Sequence, residues 1–238
     1  IRWIHSPEEH ASFDSKAFFD DIFKKHNKVE SNPNEKFSYS NLGYVFLGML
    51  VEEVSGQDYS DYVDKNIIRR IGITPEELGF TIQNPELQSK GYQKTWSFMN
   101  LALSFMFDKS KYIIDTEGKF TSYNSLYVNG SSYGGLIGSG TAFVSYLQEL
   151  MKQENRLISD DFRSQLFTEN ILNSGKPSGM CLSWFKGELN GHTYYSHAGG
   201  GGFFYCEIRM YPELGKGSVV MFNRTGVSDE RILDDFDR

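Results

Sequence analysis

Apolar residues recur at helical spacing behind Asn41. Leu42, Val45, Phe46, Met49 and Leu50 fall at i, i+3, i+4, i+7 and i+8, which marks one face of an amphipathic helix. Asn41 is the expected N-cap, and Gly56, just past Val54, is the expected stop. Upstream, Ser6-Pro7-Glu8-Glu9 reads as a capping box with proline in the first turn. Phe18, Phe19, Ile22 and Phe23 continue a helical stripe, and Lys24, Lys25 and His26 suit the carbonyl end of a helix. Residues 27–36 form a polar loop broken by Pro33. Tyr59, Tyr62, Val63 and Ile67 predict a second helix that stops near Gly72.

Residues 74–128 lack a sustained period, with Pro75, Pro85 and Gly91-Tyr92 early and aromatics later. A hairpin is expected around Glu117-Gly118, and the segment is expected to form a lobe or lid over a cleft. After the glycine-rich stretch 130–140, Thr141 opens a helix through Phe143, Val144, Leu147, Leu150 and Met151. A shorter helix follows at 159–167. From Met180 the period changes to two. Residues 182–186, 193–196, 203–211 and 218–222 read as four short strands, separated by Asn190-Gly191, the glycine run 199–202 and the turn 212–217. Short turns between consecutive strands imply an antiparallel sheet. The tail from Ser228 reads as a polar helix. Helices first and an antiparallel sheet afterwards predict an α+β domain over 1–238, its sheet flanked by helices, with 74–128 as a lobe within it.

Composition adds bounds. The chain has 238 residues, 39% hydrophobic and 15% aromatic, enough for a substantial core. Its net charge of −7, without a basic tract interleaved with aromatics, argues against a nucleic-acid partner. Cys181 and Cys206 form no CxxC pair and are expected as small buried residues on strands rather than a bridge. The first residues lack the pattern of a signal peptide, and the chain lacks an initiator Met, so its start is not expected to be the gene's start. The apolar run 98–107 is too short to span a bilayer.

Several clusters bear on chemistry. Tyr39-Ser40-Asn41 stands at a helix entry, where it can aim a phenol and an amide into a cleft. In His197-Ala198-Gly199-Gly200-Gly201-Gly202, glycines let backbone N–H groups approach a ligand closely. Gly130-Ser131-Ser132-Tyr133-Gly134 matches G-x-S-x-G, but no helix follows at once as a nucleophile elbow needs. Ser183-Trp184-Phe185-Lys186 matches S-x-x-K, yet in a strand residues three apart face opposite ways, so the match is read as accidental. His5, Glu8, Glu9 and His10 do not have metal-ligand spacing and are expected on a solvated polar face.

Taken together, Tyr39-Ser40-Asn41 and His197-Ala198-Gly199 resemble the serine β-lactamase-like family: class C β-lactamases, D-alanyl-D-alanine carboxypeptidases and related esterases. The likeness runs from about Phe37 onward, through Val54-Ser55-Gly56, Gly91-Tyr92 and Gly134-Gly135-Leu136. It implies a β-lactamase/transpeptidase-like fold and acyl-enzyme hydrolysis of a peptide, a β-lactam or a small ester. It makes Tyr39 the general base, His197 its electrostatic partner on an edge strand, Asn41 and Gly199 substrate contacts, and the Gly200 N–H an oxyanion donor. No cofactor or metal is implied, and location at the cell envelope or outside the cell follows by analogy. The family's S-x-x-K precedes its Tyr-x-Asn, and residues 1–38 hold no copy. The expectation is a site whose Ser and Lys, with the first strands and nucleophile helix, come from sequence outside this chain. The alternative is a non-catalytic binding domain on the same scaffold.

Overall fold

The computed structural model describes residues 3–97, 100–101, 108–201, 203–226 and 231–238. In chain order the elements are β1 (Ile4–His5), α1 (Pro7–His10), α2 (Ser15–Lys25), α3 (Asn41–Ser55), α4 (Tyr59–Val63), β2 (Leu78–Gly79), β3 (Gly91–Lys94), β4 (Ile113–Glu117), β5 (Phe120–Tyr123), β6 (Tyr127–Val128), β7 (Ile137–Gly138), α5 (Gly140–Met151), α6 (Asp160–Leu166), β8 (Phe185–Leu189), β9 (His192–Gly201), β10 (Phe204–Tyr211), β11 (Lys216–Phe222) and α7 (Leu233–Phe236). The main sheet is antiparallel in the order β11-β10-β9-β8. A second antiparallel sheet, β3-β5-β4, lies within 74–128, and β1-β6 and β2-β7 are two-stranded. The architecture is α+β, as expected.

Helix α5 covers one face of the main sheet. Its Leu147 and Leu150 pack with Trp184, Cys181 and Met210, the last fully buried. The opposite face holds charge. Arg209, 1% exposed, pairs with Glu207 at 3.0 Å and Asp234 at 2.7 Å, and its guanidinium lies 4.0 Å above the Tyr194 ring. Leu233 N donates to Glu207 Oε2 at 3.2 Å, so α7 docks on the sheet. The tail expected as a polar helix is, among the described residues, a short helix with Leu233 and Asp234 buried. Residues 227–230 lie outside the described residues.

Helix α3 begins one residue earlier than a cap at Asn41 would have it. Ser40, not Asn41, is the N-cap: its backbone is extended and its hydroxyl accepts from Gly43 N at 3.0 Å. Asn41 is the first helical residue. Gly56 ends the helix at φ 66°, a left-handed turn that glycine adopts without strain. The face predicted as core divides. Val45 is buried with Phe19 and Ile22, and Leu42 and Met49 pack against them, whereas Phe46 and Leu50 are exposed. The predicted second helix loosens after α4 into a π turn over Asp64–Ile68 and a 3₁₀ turn over Arg69–Ile71, then stops at Gly72.

Three further expectations change. His5 is not solvated: it is 4% exposed, its Nδ1 lies 2.9 Å from Asn129 Oδ1, and its Nε2 lies 2.8 Å from His10 Nδ1. Both partners reach it through the β1-β6 pairing and the short α1, contacts that no local period foretells. Cys181 lies outside the strands, and Cys206 is half-buried on β10; both thiols are free. The glycine run does not stop β9 at Ser196; the strand continues through it to Gly201. β10 pairs along it from Met210↔Tyr195 to Phe204↔Gly201, and this long-range ladder keeps 199–201 extended. Beyond it Phe203 adopts φ 70° and stacks on Tyr123 at 3.8 Å, tying this end of the main sheet to the β3-β5-β4 sheet. Of the apolar run 98–107, only 100–101 are among the described residues. Among the described residues no helix is long and apolar enough to cross a membrane.

Candidate active site

A loop and a strand bring the candidate residues together. The loop before α3 carries Phe37 and Tyr39, and β9 carries His197, Gly199 and Gly200. The Tyr39 and His197 ring centroids are 6.2 Å apart, with their planes tilted by 39°. Tyr39 is 51% exposed and His197 half-buried. Burial pulls the His197 imidazole below its usual range, and a hydrogen bond with the Ala198 backbone opposes this more weakly. At neutral pH the ring is therefore neutral, suited to a hydrogen bond more than to a positive charge.

The expected edge strand is an interior strand with one open stretch. β8 pairs with β9 from Leu189↔His192 to Phe185↔Ser196 and no further. Among the described residues, His197 to Gly201 pair only with β10. Among the described residues, no strand pairs with the other side of that stretch. Strand alternation puts Gly199 and Gly201 on the face of His197. A Cβ added to either would meet nothing within 4 Å, so the floor beside His197 is bare backbone.

Asn41 is exposed at the start of α3, where the Ser40 cap fixes its backbone. Tyr44, one turn on, shares its helix face. The Tyr44 hydroxyl lies 2.6 Å from the Ser183 hydroxyl. Ser183 sits in a bend at φ 67°, not in a strand, because β8 starts only at Phe185. Lys186 turns away to Glu169, Nζ to Oε2 at 3.2 Å, so Ser183 and Lys186 do not form a serine–lysine pair. The G-x-S-x-G segment forms a 3₁₀ turn, Ser131–Tyr133, against α3 and away from β9. The remaining neighbours of His197 carried no motif. Phe185 approaches its ring to 5.8 Å, and Phe37 meets Phe185 edge-on at 6.3 Å. No local period marked Phe37 or Phe185 as neighbours of His197. Among the described residues no group of three His, Cys, Asp or Glu side chains is placed to hold a metal ion.

A phenol, a neutral imidazole, an exposed amide and an unpaired strand edge are a set that can hold an extended acyl compound and move a proton beside it. The family model described as Beta-lactamase matches residues 9–238. Penicillin-binding protein 4* of Bacillus subtilis (strain 168) is 26% identical over 200 residues, 81% of this chain and 41% of that protein. A putative D-alanyl-D-alanine carboxypeptidase of Escherichia coli (strain K12) is 38% identical over 69 residues, 29% of this chain and 14% of that protein. The chain thus spans less than half the length of the curated relatives it matches. The octameric penicillin-binding protein homologue from Pyrococcus abyssi superposes with a TM-score of 0.63 at 24% identity, over 93% of this chain and 44% of that one. A D-stereospecific amidohydrolase from Streptomyces sp. gives 0.63 at 18% identity, over 86% and 55%. At these identities the likeness to solved structures shows the fold.

Proposed function

The chain belongs to the Beta-lactamase family, and on that premise we propose that it supplies the base and substrate-binding side of a serine hydrolase. The substrate is a peptide, a β-lactam or a small ester, and the reaction runs through an acyl-enzyme. The reading rests on the apposition of Tyr39 and His197 beside the open stretch of β9.

In this reading the serine comes from an S-x-x-K segment outside the chain. Its Oγ attacks the substrate carbonyl while the Tyr39 phenolate takes the proton. The carbonyl oxygen gains the negative charge and accepts from the Gly200 N–H. Collapse breaks the bond to the leaving amine or alkoxide, which receives the proton from Tyr39. Water then attacks the acyl-enzyme, Tyr39 taking its proton and returning it to the serine. A free phenol titrates near 10, so it needs help to act as a base at neutral pH. The lysine of S-x-x-K provides the charge, and His197 a hydrogen bond. Asn41 and Gly199 orient the substrate. The carboxypeptidase and amidohydrolase names among the relatives support action on a peptide or amide bond, and a cell-envelope or exported location is proposed by analogy with the penicillin-binding relative.

The test is covalent labelling of the full-length protein with a fluorophosphonate or a labelled penicillin. Labelling at the serine of an S-x-x-K, slowed by Tyr39→Phe, supports the reading. Folded full-length protein that stays unlabelled overturns it. A second reading, a binding domain without turnover, draws on one observation: the S-x-x-K in this chain, Ser183 to Lys186, is split between a bend and a salt bridge. It predicts that the sequence preceding Ile1 in the gene also lacks the motif.

A further inference from the structure

Beside His197 two large apolar side chains stand in water. Phe37 is 44% exposed and Phe185 37% exposed, and the rings meet at 82°. Phe185 is also the residue at which β8 stops accompanying β9, through its pairing with Ser196. An extended compound adding to the open side of β9 would therefore lie in line with β8 and abut the Phe185 ring. The rings are held from behind, since the Tyr44–Ser183 hydrogen bond fixes the bend that leads into Phe185 against the first turn of α3.

Strand geometry sets the reach. Gly200 lies three residues beyond His197, about 10 Å along an extended backbone. A ligand whose reacting carbonyl meets the Gly200 N–H thus reaches the Phe185 ring with whatever it carries two to three residues away. Exposed phenyl surface at that distance favours an apolar group over a charged one.

We propose that Phe37 and Phe185 form an apolar subsite selecting extended substrates that carry a bulky apolar or aromatic group about 10 Å from the reacting carbonyl. This rests on the hydrolase reading for which carbonyl reacts, but not for the binding itself.

The experiment is a chemical-shift titration of the full-length protein with two product-like peptides, phenylalanyl-glycyl-glycine and alanyl-glycyl-glycine. Their free carboxylates are what transfer of an acyl group to water leaves, so they bind without turnover. The expected result is shifts at the amides of 197–201, with the phenylalanyl peptide bound at least fivefold tighter. Phe185→Ala and Phe37→Leu should each bring that ratio below twofold. Equal affinities, a preference that survives both substitutions, or no binding of either peptide overturns the subsite. Serine labelling without the aromatic preference sinks the subsite alone. The preference without labelling leaves the groove and sinks the hydrolase.

Discussion

The hydroxyls of Tyr44 and Ser183 meet at 2.6 Å and join the first turn of α3 to the bend before β8. Ser183 holds φ 67° there, a conformation that costs a non-glycine residue on the order of 1 kcal/mol. Tyr44→Phe removes the partner and should destabilise the protein by about 1 kcal/mol in urea unfolding. Ser183→Gly removes both the strain and the hydroxyl. In that background Tyr44→Phe should cost less than half as much. An equal cost in both backgrounds would show that the hydrogen bond carries none of the effect.

Tyr39→Phe tests the base. In the full-length protein it should lower kcat by about 10²- to 10⁴-fold, the range for loss of a general base, with KM little changed. Because Tyr39 is half exposed, the melting temperature should hold. An unchanged kcat would remove Tyr39 from the chemistry.

His197 makes stability depend on pH. Burial lowers its pKa in the folded chain, whereas the unfolded chain keeps a value near 6.5. Between the two values the unfolded chain binds more protons, so stability is full above about 6.5 and is lost as pH falls through the lower folded value. His10 shifts the same way, for the same reason of burial. The urea midpoint should therefore drop from pH 7 to pH 5, and His197→Gln should flatten part of that slope. A variant with the parent's slope would show that His197 contributes nothing to it.

Gly48 is a packing constraint inside α3. A Cβ there would lie 2.4 Å from Ser132 Oγ. Alanine is the better helix former by about 1 kcal/mol, but the clash with the Ser131–Tyr133 turn should win, with a net loss of about 1 to 3 kcal/mol. Ser132→Gly opens the space, and in that background Gly48→Ala should become neutral or stabilising. Denaturant midpoints of the four proteins decide it.

What could be read from the chain follows the range of the forces involved. The period behind Asn41 gave α3 and its Gly56 stop because both are local. It could not choose between Ser40 and Asn41 as cap, since either side chain can accept from the backbone; the extended backbone at Ser40 decides. Nor could it tell that Val45 would be covered and Phe46 left in water, because that depends on which neighbour arrives. The glycine run looked like a turn, and only the β10 ladder makes it strand. His5 looked solvated, and only Asn129 and His10 show why it is buried. The meeting of Tyr39 with His197 was legible through resemblance to a family and not through spacing. Phe185 was not legible as a site residue at all, since its place depends on where β8 begins.

The half-paired stretch of β9 also bears on how the protein behaves in a crowded solution. A strand with one unsatisfied side invites pairing with any passing chain, and natural sheets protect such edges by charge, proline or brevity. Here protection comes from composition. Gly199, Gly200 and Gly201 give an intruding strand no side chains to interdigitate with, and glycine resists ordering into a new ladder. The bareness that leaves room beside His197 thus also keeps this edge from seeding intermolecular sheets. Replacing these glycines with valines would trade that safety for a flat, sticky border, and aggregation would be the first sign of it.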